Sequence, residues 1–196
     1  MAYIGMRNPV AAPITAHTDG SAITYGTGMV IGPAVAANLT LDIADNPDYG
    51  DDIIIDNDAG CNGYSGTLET NNITKEGRAT LLGWEPVGTT VTHYDVTDAN
   101  APLVGWGFIR VSMFKGVRKY EAFWFHKAQF TPASINGSTK QQQINWNHPQ
   151  MNVKGLGAYI DNSGKAKYFQ WMEFDTEAAA LAWLNAKANI SSGTTE

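Results

Sequence analysis

At 196 residues, 43% of them hydrophobic, the chain is long enough to bury the core of one domain, and its single cysteine, Cys61, excludes an intrachain disulfide. Charged residues make up 16%, against ~25% in typical soluble domains, so much of the surface must be covered by neutral polar groups or by other protein. The formal net charge of −6 is segregated, with no lysine or arginine between Asn8 and Thr74, and that acidic third repels nucleic acid and anionic membranes and attracts cations or a basic protein surface.

The N-terminal residues Met1 to Pro9 contain no apolar signal core, and no stretch approaches the ~20 apolar residues of a membrane span. The expectation is a protein made in cytosol-like conditions without a membrane anchor. A strand is expected over Ile23–Ile31. From Pro33 to Ile43 the period is two: Val35, Ala37, Leu39, Leu41 and Ile43 point one way, and Ala36, Asn38, Thr40 and Asp42 the other. Ala44 to Gly60 is rich in Asp, Asn and Gly. It carries Asp45, Asp48, Tyr49, Asp51, Asp52, Asp56 and Asp58 and is interrupted by Ile53-Ile54-Ile55. A connection this long in a compact domain usually has a task of its own. Cys61–Thr70 alternates again, with Tyr64 and Leu68 opposite Ser65, Thr67 and Glu69.

Thr74 can cap a helix over Lys75–Leu82 that stops at Gly83. Val104 to Phe130 reads as a hairpin turning at Lys115-Gly116. Trp106 and Phe108 share a face of its first strand. On its second strand Tyr120, Ala122, Trp124 and Phe130 are expected on one face, with Phe123 and Phe125 on the other. Both faces are apolar, so both need cover. Two short helices cannot supply all of it, which points to a second sheet or a neighbouring subunit. Further strands are expected over Lys140–Trp146, Val153–Ile160 and Lys165–Phe174. A closing helix follows over Thr176–Asn189, capped by Asp175 or Thr176, with Leu181, Leu184 and Ala188 as its apolar stripe and Trp183 beside it. Ser191–Glu196 reads as a disordered tail. The fold class is mainly β: one domain over residues 1–190, an antiparallel sandwich or barrel flanked by a C-terminal helix.

No catalytic constellation emerges. Asp56-Asn57-Asp58-Ala59-Gly60 lacks the third oxygen ligand and the later glutamate of a calcium loop. His17, His93, His126 and His148 have no metal-binding spacing, and no nucleophile elbow or phosphate loop accompanies them. No enzyme activity, metal or cofactor is expected. Two other readings stay open on residues alone. One is a carbohydrate-binding sandwich that stacks sugars on Trp106 and Phe108. The other is a Ca²⁺-dependent or carboxylate hydrolase built on the Asp42–Asp58 cluster.

Several segments, in order along nearly the whole chain, carry a resemblance. They are Asn8-Pro9-Val10-Ala11-Ala12-Pro13-Ile14, Thr24-Tyr25-Gly26-Thr27-Gly28, Asp45-Asn46-Pro47 with Tyr49 and Asp51-Asp52, and Arg78-Ala79-Thr80-Leu81-Leu82-Gly83. Val104-Gly105-Trp106-Gly107-Phe108-Ile109-Arg110 follows with Tyr120-Glu121-Ala122-Phe123-Trp124, then Phe174-Asp175-Thr176-Glu177-Ala178 and Ala182-Trp183-Leu184. Together they resemble the major tail, or tail tube, proteins of long-tailed bacteriophages. The run Gln141-Gln142-Gln143 departs from the charge such a strand would carry.

The resemblance implies a structural virion protein of the phage tail, made in the host cytoplasm. Its subunits would form hexameric rings stacked into a hollow tube that delivers the genome. The implied partners are other copies of the chain, further tail proteins at the tube ends, and double-stranded DNA that passes without sticking. The implied fold has two packed antiparallel sheets, one of which joins its neighbours' sheets around the lumen. Asn38, Thr40, Asp42, Ser65, Thr67 and Glu69 are then expected to face the lumen, where acids prevent counterion-release binding of phosphates. Asp45, Asp48, Tyr49, Asp51, Asp52, Asp56 and Asp58 are expected to reach the adjacent ring. Trp106, Phe108, Phe123, Trp124 and Phe125 are expected in sheet or subunit packing.

Overall fold

The computed structural model describes residues 2–58, 60–87, 91–93, 101–133 and 147–191. In chain order the elements are β1 (Ala2–Ala16), β2 (Thr24–Tyr25), β3 (Met29–Val30), β4 (Ala34–Ile43), β5 (Asn46–Gly50), β6 (Ile53–Asp58), β7 (Cys61–Thr70) and α1 (Lys75–Leu82). Then come β8 (Glu85–Val87), β9 (Val91–His93), β10 (Leu103–Phe114), β11 (Val117–Pro132), β12 (Gln150–Gly155), β13 (Phe169–Phe174) and α2 (Glu177–Lys187). The protein is mainly β, with an antiparallel sheet and a C-terminal helix.

One hydrogen-bonded sheet runs β2-β1-β10-β11-β12-β7-β4, with β13 added on β11 and β3 on β1. The long strands β10 and β11 let this sheet curl, so that β4 at one edge returns towards β1. The two layers expected of a sandwich are thus two parts of one curled sheet. At the bend, Val104 pairs with Ala128 but Trp106 pairs with Phe125, so His126 and Lys127 oppose the single residue Gly105. This bulge adds one residue to β11 and reverses its alternation.

The reversal corrects one expectation. Phe130 does not share a face with Trp124; it joins Phe125, Trp106, Tyr64 and Met151 in the interior core. Ala122 and Trp124 face outward with Val10, Ala12 and Ile109, and α2 covers them with Ala180, Leu184 and Ala188. The doubly apolar strand is therefore largely covered inside one subunit, by a helix on one face and by β7, β12 and β4 on the other, with Phe123 left half-buried.

Both helix starts obey their caps. Thr74 Oγ1 accepts from Gly77 N at 3.0 Å, and Gly83 ends α1 at φ 69°. Thr176 Oγ1 accepts from Ala179 N at 3.3 Å. The buried stripe of α2 is Ala180, Leu184 and Ala188; Leu181 lies only at its margin. Small residues let this helix settle close to the sheet. A Cβ on Gly107 would meet Leu184 Cδ1 at 2.7 Å and Phe123 O at 2.2 Å.

Three other strand expectations shift, and β1, the 15-residue strand at the start, comes in addition to them. Pro9 and Pro13 interrupt its pattern, and Asn8 at φ 49° marks a register shift between Arg7 and Val10. The strand expected over Ile23–Ile31 is reduced to β2 and β3, separated by Gly26 and Gly28. The strand expected over Val153–Ile160 begins earlier, at Gln150, and stops at Gly155; Ala158 instead bridges Lys167. β13 begins at Phe169, later than expected. Lys140–Trp146 and the tail beyond Ser191 lie outside the described residues.

Candidate assembly surfaces

The polar residues of the two early strands do gather on one face. β7 is central: Thr67 lies between Asn38 of β4 and Asn152 of β12, and Ser65 lies between Thr40 and Lys154. Glu69 lies between Ala36 and Gln150. Asp42 continues the row and accepts from Ser65 Oγ at 3.1 Å. The opposite faces of the same strands carry Leu39, Leu68, Met151 and Val153 into the core. All six expected residues thus sit on the outer face of the β12-β7-β4 layer. β12, whose start at Gln150 lies ahead of the strand expected from Val153, adds Gln150, Asn152 and Lys154 to that face. Lys154 balances one of the two carboxylates, so the face is mostly neutral and hydrogen-bonding rather than an acidic wall. The strand's alternation around Val153 was the available signal.

Among the described residues β4 is an edge of the curled sheet. Its inner residues Ala37, Leu39 and Leu41 form one wall of an apolar groove of about 350 Å³, with Tyr3 and Met6 of β1 on the other and Phe123 among the floor residues. At its rim Arg110 Nη2 and Nε donate to Glu121 Oε2 at 2.6 and 2.9 Å, and the guanidinium lies 3.7 Å from the centre of the Tyr3 ring. Glu121 is buried, so this pair satisfies a charge that would otherwise be costly.

The segment expected as a long loop is a β-hairpin. β5 and β6 form their own two-stranded sheet, and their extensive contacts are with each other. Asp51 and Asp52 make the turn at φ 50° and 63°, a left-handed pair that suits the twist of a two-residue hairpin. Asp48 and Asp56 stand directly opposite each other, a like-charge pair that weakens the hairpin. Ile53, Ile54 and Ile55 are 65%, 59% and 67% exposed, so both faces of β6 offer apolar surface. Asp45 accepts from Asn57 Nδ2 at 2.8 Å, Tyr49 is exposed, and Asp58 closes β6 opposite Asn46. A hairpin with opposed like charges and uncovered isoleucines gains from a partner.

The five aromatic residues expected in packing are packed within the subunit. Trp106, Phe108, Trp124 and Phe125 are buried, and Phe123 is half-buried against them. Trp106 stacks on Phe125 with centroids 4.8 Å apart. A sugar platform on Trp106 is therefore corrected: the ring has no accessible face. Burial pushes the Tyr64 phenol up, against the pull of its bond from Trp106. His126 is held at about 4, first by burial and then by Lys187 and Lys167.

Among the described residues, no three His, Cys, Asp or Glu side chains group to hold a metal ion. No helix among them is long and apolar enough to cross a membrane. No protein-family model and no curated protein matches the chain.

Proposed function

We propose that this chain is a structural tail tube subunit, which assembles as stacked hexameric rings into a conduit for phage DNA. The observation that carries the reading is the β12-β7-β4 layer. It is polar outside and apolar inside, and among the described residues it ends in β4, an open ten-residue edge. An open edge with a buried-type inner face is a liability in a free monomer. Pairing it with the next subunit removes the liability and continues the polar face around a ring. The face in this reading lines the lumen, where neutral hydrogen-bonding groups and a slight acidic excess hold no phosphate backbone. The apolar β4–β1 groove and the exposed isoleucines of β6 add further surface for copies of the chain. Electron microscopy of the purified, concentrated protein tests the reading. Rings or tubes with a central channel are expected, and a persistent monomer at high concentration counts decisively against it.

A further inference from the structure

The β5–β6 hairpin leaves the sheet where β4 ends and β7 begins, at Ile43 and Cys61. Beyond the other end of β7, after Thr70, lies a cleft of about 450 Å³. Ten-residue strands separate the two features by roughly 30 Å. Ile73, Leu82 and Met151 line the cleft, together with Arg78, Trp84 and His148. The Arg78 guanidinium lies 5.4 Å from the centre of the Trp84 ring. Lys75 and Arg78 line an adjoining hollow. Among the described residues no carboxylate lines either.

We propose that the hairpin tip of one copy seats in this cleft of a second copy. The proposal rests on the assembly reading above and names the acceptor surface for the hairpin. The match is in charge and in polarity. Asp48, Asp51 and Asp52 have no cation in salt-bridge range among the described residues, and Arg78 has no carboxylate in that range. Ile53 and Tyr49 flank the acidic turn and supply apolar surface for the walls of Ile73 and Leu82. The occupant is a second copy because the two halves lie at opposite ends of the same strands. Such a contact is heterologous: each copy uses its hairpin on one neighbour and its cleft on the next, and the series runs on as a stack unless a rotation closes it. Clefts of this size accept a few side chains.

Disulfide trapping on the full chain tests the contact without removing its charges. In a Cys61→Ser background, a tagged copy carrying Ile53→Cys is mixed with an untagged copy carrying Asn72→Cys, in the cleft, and oxidised. A linked heterodimer is expected, in clear excess over Ile53→Cys mixed with Val117→Cys on the basic β10–β11 turn. Tubes that form without the Asn72 link overturn this contact and leave the tube reading standing. A link without tubes supports the contact and overturns the tube reading. Charge reversal provides the second measurement. Arg78→Glu alone, or Asp51→Lys with Asp52→Lys, should raise the critical concentration for assembly by roughly tenfold. Combining all three should restore it; a combination no better than either parent overturns the proposal.

Discussion

Trp106 Nε1 donates to Tyr64 Oη at 2.9 Å, and both side chains are fully buried. This bond ties β10 to β7 across the interior of the curled sheet. Water cannot replace either partner. Tyr64→Phe keeps the ring and leaves the indole N–H orphaned, which should cost about 1–3 kcal/mol. The melting temperature should fall by several degrees, since each kcal/mol moves a chain of this size by ~2–4 °C. Trp106→Phe should cost more, because it also removes ring volume packed on Phe125. An unchanged midpoint in Tyr64→Phe denaturation would show that the bond contributes nothing.

Parts of this arrangement were legible in the sequence. Alternation gave β4 and β7, Thr74 and Gly83 bounded α1, and Lys115-Gly116 gave the hairpin turn. In each case the signal is local: a period, a cap or a turn residue acts on its own neighbourhood. The misses are nonlocal. The bulge at His126-Lys127 reverses the face of Phe130, yet it is defined only by the register against Gly105 on another strand. Gly155 looks like a loop residue, but it ends β12 beneath the Tyr64 ring, where an added Cβ would meet Cε1 at 1.8 Å. The same limit applies to the candidate assembly surfaces. Alternation placed Asn38, Thr40, Ser65 and Thr67 on one face, but only strand pairing brings Lys154 beside them. Ala44–Gly60 reads as a loop even with Ile53-Ile54-Ile55 inside it, because the left-handed Asp51-Asp52 turn hides the hairpin behind residues less usual there than Asn-Gly.

The buried His126 imidazole makes the fold less stable in acid. Its imidazole is held at about 4 against an ordinary 6.5, because burial, Lys187 and Lys167 disfavour the charged form. Between those values the unfolded chain binds the proton and the folded chain does not. Stability is therefore fully present above pH ~6.5 and is lost as pH falls through about 4, by an amount on the order of 2–3 kcal/mol. His126→Gln should flatten this part of the profile. Denaturation midpoints at pH 7, 5.5 and 4 measure it, and an equal slope in variant and parent rules the histidine out.

The outer face of the β12-β7-β4 layer should tolerate charge change without loss of fold, because Asp42 and Glu69 lie outside the core. Asp42→Lys with Glu69→Lys turns two carboxylates and one lysine into three lysines. If this face lines the lumen, assembled tubes of the variant should hold double-stranded DNA at low salt, where parent tubes do not. Each added phosphate contact should steepen the salt dependence by about 0.9 in log–log slope. Genome ejection from particles built on the variant should slow. Equal DNA retention and equal ejection rates would move the lumen to another surface.

The β5–β6 hairpin should be dispensable for folding and required for stacking. Its residues supply nothing to either core cluster, and its contacts with the body are few. Replacing residues 45–58 by a short glycine–serine turn between Ala44 and Ala59 should leave the melting temperature within a degree or two, because surface loops close at small entropic cost. Stacks should disappear, leaving at most single rings. A companion change separates shape from charge. Asp51→Asn with Asp52→Gly installs residues that favour the left-handed turn and removes two like charges from a hairpin already strained by Asp48 opposite Asp56. The isolated subunit should therefore become slightly more stable, while stacking weakens because the acids that seek a basic partner are gone. Sedimentation velocity on both variants reads the two effects separately. If Asn-Gly strengthens stacking along with stability, the hairpin contributes shape and apolar surface to the contact, and its charge has another role.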